Sequence, residues 1–160
     1  MLTALLAGGV IVVDQLIKQL VVRAVSPGAE VVLIPGLLWL THVRNTGIAF
    51  GLLPGVPLPI LVAAGLTVIF LVFYNWTRPG VGGSREAMGR AALGALAGGA
   101  GGNLIDRVRL GYVIDYLDLR VWPVFNLADA AVVIGGALLL VASVRQRPPR
   151  AQGPDSEGRR

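Results

Sequence analysis

The chain alternates long apolar runs with short polar interruptions. Four runs, at about 2–24, 58–77, 87–108 and 127–144, each approach the ~20 residues that a helix needs to cross a hydrocarbon core. The first is broken by Asp14 and Lys18, the second carries no charge, the third is rich in Gly and Ala, and the fourth has Asp129 near its start. Between the first two runs, 29–57 holds Val31-Val32-Leu33-Ile34 and Leu37-Leu38-Trp39-Leu40, then an alternating stretch over 41–50, punctuated by Pro35-Gly36 and Pro54-Gly55. Short runs bounded in this way read as strands. Residues 109–124 read as a connection of mixed polarity. The pattern predicts a mainly α integral membrane protein, with four transmembrane helices and a small extracytoplasmic β-sheet over about 29–57. It forms one embedded domain over 1–146, and a basic tail over 147–160 is expected to be disordered.

Composition agrees with that reading and removes several chemistries. Of 160 residues, 54% are hydrophobic and 14% charged, too apolar for an ordinary soluble domain. Cysteine is absent, which excludes disulfides, thiol nucleophiles and thiolate metal sites. The one histidine, His42, cannot build a histidine metal cluster alone, and it is expected at the surface or interface. The four serines lie outside any Gly-x-Ser-x-Gly context, and no His-Glu-x-x-His occurs. The first apolar run lacks a basic leader and is interrupted by charge, so it reads as a retained span rather than a removable signal peptide.

The formal net charge is +5, but the basic residues are not interleaved with aromatics on a soluble face, so no nucleic-acid partner is expected. Membrane lipids and topology account for them better. Arg78, Arg85 and Arg90 between the second and third runs, with Arg145, Arg147, Arg150, Arg159 and Arg160 in the tail, outnumber Arg23, Arg44, Arg109 and Arg120 on the opposite side. The positive-inside bias then puts both termini in the cytoplasm.

That topology brings the unusual polar residues to one face. Asn103, Asp106 and Arg107 fall at the outer end of the third span, Asn126 and Asp129 at the outer start of the fourth, Asp115 in the connection between them, and Asn45 in the sheet. Ionisable groups at a membrane boundary are costly and mark functional sites. Asn126 with Asp129 three residues later has the spacing of a helix cap, which by itself would explain Asp129. Asp115 has no capping rationale. Two carboxylates that meet resist double ionisation and share a proton, which suits acid–base chemistry. Asp118 competes with Asp115 as a solvated or structural acid. Asp14 and Lys18, spaced i, i+4 with the acid first, read as a structural ion pair in the first span. Asn103, Asp106 and Arg107 share a helix face behind Gly98, Gly99, Gly101 and Gly102, small residues that permit close helix approach. Arg107 is free to tie Asp106, to face the shared-proton site, or to hydrogen-bond a substrate carbonyl. Trp39, Trp122 and Tyr112 read as interfacial anchors.

In order, Asp14-Gln15-Leu16-Ile17-Lys18, Asn45-Thr46-Gly47-Ile48-Ala49-Phe50, Gly102-Asn103-Leu104-Ile105-Asp106-Arg107, Val113-Ile114-Asp115-Tyr116 and Phe125-Asn126-Leu127-Ala128-Asp129 resemble the signature blocks of the bacterial lipoprotein signal peptidases (signal peptidase II). The resemblance covers about residues 5 to 145. Ile17 and Ile48 stand where Thr and Ala are common, and Tyr116 where Phe is common. The resemblance implies a four-helix aspartyl endopeptidase of the bacterial inner membrane with an extracytoplasmic β-cradle. Such an enzyme cleaves prolipoproteins just before the diacylglyceryl-modified cysteine.

On this resemblance Asp115 and Asp129 match the catalytic dyad. Asn45, Gly47, Asn103, Arg107 and Asn126 match the substrate and inhibitor site, and Asp14, Lys18 and Asp106 match structural polar positions. It further implies no metal or other cofactor, diacylglyceryl prolipoproteins as substrates, inhibition by globomycin-type cyclic peptides, and a monomer. The alternative is a proton-coupled transporter or channel subunit, in which carboxylates relay ions and polar residues spread through the membrane depth.

Overall fold

The structure is a computed structural model that describes residues 1–47, 56–76 and 84–144. Its elements run α1 (Leu2–Ala24), β1 (Glu30–Ile34), β2 (Leu38–Asn45), α2 (Leu58–Trp76), α3 (Ser84–Leu110), β3 (Val113–Asp118) and α4 (Leu127–Val144). The expected tail over 147–160 and the end of the 41–50 stretch lie outside the described residues.

α3 is the central helix, packed against α1, α2 and α4. Its glycines are the reason the backbones come so close. A Cβ on Gly98 would lie 2.7 Å from Val10 Cβ and 2.9 Å from the Ala7 carbonyl oxygen of α1. One on Gly102 would lie 2.7 Å from Asp14 Oδ2. Small residues at a helix interface allow this approach where bulkier ones hold helices apart. α3 ends at Gly111, whose φ of 81° is the left-handed cap that glycine adopts freely, and its N–H reaches the Arg107 carbonyl at 3.0 Å.

The helices meet the sheet at one end. β2 is the central strand, antiparallel to β1 on one side and β3 on the other. The β1–β2 turn is Ile34-Pro35-Gly36-Leu37. The Leu37 N–H bonds the Ile34 carbonyl at 3.0 Å, and Gly36 has φ 74°, the arrangement that a Pro-Gly pair favours at the centre of a type II turn.

Four expectations change. Residues 113–118, expected within a mixed connection, form a third strand, because every side chain of that segment is buried or half-buried against the helices and β2 supplies its ladder partners. β2 ends at Asn45, where the side chain turns back on its own backbone instead of continuing the alternation. His42 is buried rather than interfacial. Its Nδ1 lies 3.0 Å from the Val25 carbonyl, so that nitrogen carries the hydrogen and ties the end of α1 to β2. The third helix also runs longer than expected, over Ser84–Leu110 instead of 87–108.

The interior inverts the ordinary rule. The largest fully buried side chains are Lys18, Val113, Asn126, Asp14 and Asp115, while Leu5, Leu20, Ile60, Phe70, Ile134 and Leu140 stand exposed on the helices. Charged groups are almost never fully buried unless paired. Among the described residues, α1 alone is long and apolar enough to cross a membrane by itself, and 58–74 and 127–142 are shorter apolar helices.

Candidate functional site

The site is organised around the start of α4. The first N–H groups of a helix have no partner within it, and here each is met by a different residue. The Leu127 N–H donates to Tyr116 Oη at 3.1 Å, the Ala128 N–H to Asp14 Oδ1 at 3.1 Å, and the Asp129 N–H to Asn126 Oδ1 at 2.8 Å. The Asn126 N–H in turn donates to Asp129 Oδ2 at 3.3 Å. Asn126 and Asp129 therefore form the reciprocal cap that their spacing predicts. The cap leaves the Asn126 amide free to do something else.

That amide is the bridge. Asn126 Nδ2 lies 2.7 Å from Asp115 Oδ1 and 3.0 Å from Asn103 Oδ1. Asn103 Nδ2 donates to Asp129 Oδ1 at 2.7 Å, and Asn45 Nδ2 donates to Asp115 Oδ2 at 2.7 Å. Asp115 and Asp129 are thus held in one buried network, each carboxylate accepting from two amide or N–H donors. Four elements contribute: β2 through Asn45, α3 through Asn103, β3 through Asp115, and the start of α4 through Asn126 and Asp129.

Beneath this layer lies a saturated ion cluster. The Lys18 ammonium has three hydrogens and three acceptors: Asp14 Oδ2 at 2.8 Å, Asp106 Oδ2 at 2.7 Å and Asn103 Oδ1 at 3.0 Å. Asp106 also accepts from Gln15 Nε2 at 2.9 Å and from the Ile114 N–H at 3.2 Å, so it anchors the start of β3. The expected Asp14–Lys18 pair is present, and Lys18 rather than Arg107 is the partner of Asp106. Asp118 is a structural acid: it is buried, and it accepts the Arg120 N–H at 2.7 Å.

Arg107 faces the two carboxylates from α3 and donates to the Gly47 carbonyl at 3.3 Å, while the Gly47 N–H is fixed by Asn45 Oδ1 at 2.8 Å. Among the described residues, Arg107 Nε is the one buried side-chain donor without a partner. An orphaned buried donor carries a desolvation penalty, and Arg107 itself lines a groove. The groove, about 210 Å³, is walled by Leu61, Ala64 and Val68 of α2 and by Val132 of α4, with Asn103, Arg107 and Asp129 at its polar end. Every expected site residue therefore belongs to one of two contiguous layers. Asp115, Asp129, Asn45, Gly47, Asn103, Arg107 and Asn126 make the upper one, and Asp14, Lys18 and Asp106 the lower.

Burial, followed by the nearby charge of Asp129, pushes the Asp115 carboxyl up to about 7, against the opposing hydrogen bonds from Asn45 and Asn126. At neutral pH a proton is therefore available on Asp115. Two further residues act here to which sequence reasoning assigned no role. Tyr116 caps α4 through its hydroxyl, and Gln15 ties α1 to Asp106 and to the Gly102 carbonyl. A polar residue beside Asp14 in an apolar helix was the available signal for Gln15. Nothing local distinguishes Tyr116.

The family described as Signal peptidase (SPase) II matches residues 6–145. The chain is 46% identical over 132 residues to the lipoprotein signal peptidase of Halothermothrix orenii, which covers 82% of this chain and 88% of that protein. It is 43% identical over 155 residues to that of Moorella thermoacetica, covering 91% and 97% respectively. A solved bacterial membrane enzyme, determined by the in meso method at 2.3 Å, superposes with a TM-score of 0.80 at 28% identity over 89% of this chain and 87% of its own.

Proposed function

This chain belongs to the signal peptidase (SPase) II family, membrane proteases that remove signal peptides from prolipoproteins, and we propose that it does so as an aspartyl endopeptidase with Asp115 and Asp129 as its dyad. The observation that carries the reading is Asn126, whose side chain caps Asp129 and at the same time donates to Asp115 at 2.7 Å. A single residue thus holds two carboxyls in one buried network, which is what shared-proton catalysis requires.

The roles follow from the surroundings. Asp129 sits in the first turn of α4, where the helix N-terminus and two donors favour a carboxylate. It takes a proton from a water as the water oxygen attacks the scissile carbonyl carbon. Asp115, protonated near neutrality, gives its proton to the carbonyl oxygen. A tetrahedral diol results. As the C–N bond breaks, Asp129 returns its proton to the leaving nitrogen and Asp115 recovers one from a diol hydroxyl. Arg107, at the polar end of the groove and with its Nε unpartnered, donates to a substrate backbone carbonyl and sets the register of the peptide.

In this reading 1–146 is one embedded domain whose four helices all cross the bacterial cytoplasmic membrane. The exposed leucines and phenylalanines face lipid, both termini lie inside, and the sheet and dyad lie outside. The arginine asymmetry supports that orientation, and close packing through glycine lets the more polar α3 run in the centre. The substrate's signal helix enters from the bilayer along α2 and α4, with its diacylglyceryl-cysteine on the outer side of the scissile bond. A globomycin-type peptide would compete for the same groove, and a single chain carries the whole site. The transporter alternative finds no support: among the described residues, the buried polar ones apart from Thr3 gather at the sheet end instead of lining a path through the helices.

The deciding experiment is incubation of the purified chain with a diacylglyceryl prolipoprotein, with and without globomycin. Cleavage at the bond before the modified cysteine, blocked by globomycin, is the expected result. Absence of cleavage by a folded, reconstituted chain overturns it.

A further inference from the structure

The cytoplasmic bias of the arginines has exceptions, and three of the four gather in one place. A cavity of about 400 Å³ opens between the last turns of α1 and α3 and the start of β3, separate from the groove along α2. Arg23 of α1 and Arg109 of α3 line it, together with Gln19 and Tyr112. The Arg44 guanidinium stands over the Tyr112 ring, 5.3 Å from its centroid. Among the described residues none of these three arginines has a carboxylate partner within 4.0 Å, whereas the fourth, Arg120, is paired with Glu30 and Asp118. The acid that faces the cavity, Asp106, is already held by Lys18 and Gln15 and is unavailable to Arg23 or Arg109.

Helix C-termini attract cations, which accounts for an arginine at each helix end. It does not account for two helices setting unpaired arginines on one concavity while a third arginine, from β2, stacks on the Tyr112 ring that lines it. Such groups bind phosphate through planar, charge-assisted hydrogen bonds, and here they stand at the ends of helices in a membrane protein, at headgroup depth. We propose that this cavity is a binding site for the phosphate of an anionic phospholipid headgroup, with Arg23 and Arg109 as its principal donors and Tyr112 and Arg44 at its rim. The site needs no part of the catalytic assignment, and its test reads lipid binding rather than cleavage, so the two readings fail separately.

The test uses the full chain, delipidated in a zwitterionic detergent. Its affinity for phosphatidylglycerol, phosphatidylcholine, glycerol phosphate and inorganic phosphate is measured by native mass spectrometry. The expected result is a preference for phosphatidylglycerol over phosphatidylcholine, lowered about twenty-five-fold in the double variant R23Q/R109Q, at about fivefold for each arginine near an anionic lipid surface. The charge-retaining R23K/R109K keeps most of the preference, and peptidase activity shows that each variant is folded. Equal affinity for the two lipids, or undiminished phosphatidylglycerol binding by R23Q/R109Q, overturns the proposal. Inorganic or glycerol phosphate binding as tightly as the lipid would also overturn it, since the site would then be one for a soluble anion.

Discussion

The Nζ of Lys18 lies 3.0 Å from Oδ1 of Asn103, and the amide nitrogen of the same asparagine lies 2.7 Å from Asp129. Asn103 is therefore oriented by an ion cluster: the ammonium can only meet its oxygen, which directs its N–H₂ at the carboxylate. The lower layer of charges fixes the upper layer of chemistry, although it touches no substrate.

Replacing either dyad acid by its amide keeps the shape of the network and removes the proton it exchanges. Asp115→Asn and Asp129→Asn are each expected to lower kcat on a lipidated precursor by at least about 100-fold, the lower range for loss of a general acid or base, with normal membrane insertion. Substantial turnover by either purified variant would remove that residue from the dyad.

The pH dependence follows from Asp115. Its folded-state carboxyl titrates at about 7, well above an unfolded aspartate at about 3.9. Below the unfolded value both states are protonated, and the stabilising contribution of the bound proton is fully present. As pH rises toward the folded value that contribution is lost, because the unfolded chain releases its proton first. Stability is thus expected to fall between about pH 4 and pH 7 on this account, and Asp115→Asn should flatten that part of a Tm-against-pH curve. Cleavage should likewise decline on an alkaline limb near 7. Asn45→Ala removes a donor that favours the ionised form, so its residual activity should show that limb at higher pH. A limb that stays in place would separate Asn45 from Asp115.

Lys18→Met strands two buried carboxylates. Removing one partner of a buried ion pair costs about 3–5 kcal/mol, so a large drop in Tm is expected, with partial recovery in the triple variant D14N/K18M/D106N. If the triple variant were no more stable than K18M, the cluster would not be the source of the loss.

Arg107→Lys keeps a positive charge and removes the planar fork, including the unpartnered Nε. Loss of a charged hydrogen bond is worth about 1.5–3 kcal/mol, so kcat/KM is expected to fall about ten- to a hundredfold, with stability close to that of the parent. Steady-state kinetics on a lipidated precursor, paired with thermal unfolding, checks both halves.

Gly102→Ala places a methyl carbon 2.7 Å from Asp14 Oδ2, whereas Gly136→Ala on α4 meets nothing within 4 Å. The first is expected to destabilise by about 1–3 kcal/mol through overpacking and to reduce activity by displacing Asp14 from the Ala128 N–H. The second should be neutral or slightly stabilising, as alanine is the better helix former. Equal Tm values for the two would contradict the close α1–α3 approach.

What the amino-acid sequence determined by itself is what depends on near neighbours. Apolar runs placed four helices, Pro35-Gly36 placed the hairpin turn, the i, i+4 spacing joined Asp14 to Lys18, and the Asn126–Asp129 spacing made the cap. Each rests on contacts within one or two turns of chain, where periodicity and spacing are physical distances. Residues 113–118 read as a connection because a strand of six residues takes its identity from its partner, and that partner, β2, lies some 70 positions earlier, as the Asn45–Asp115 bond shows. His42 is buried for the same kind of reason, since the carbonyl that satisfies it belongs to the end of α1.

Which donors reach which carboxylate, and that Asp106 belongs to Lys18 and not to Arg107, were decided by tertiary structure alone. Those contacts exist only after glycines on α3 have let α1 and α4 close to van der Waals distance. In an interior that excludes water, a buried charge must then take whichever partner that closure brings within reach.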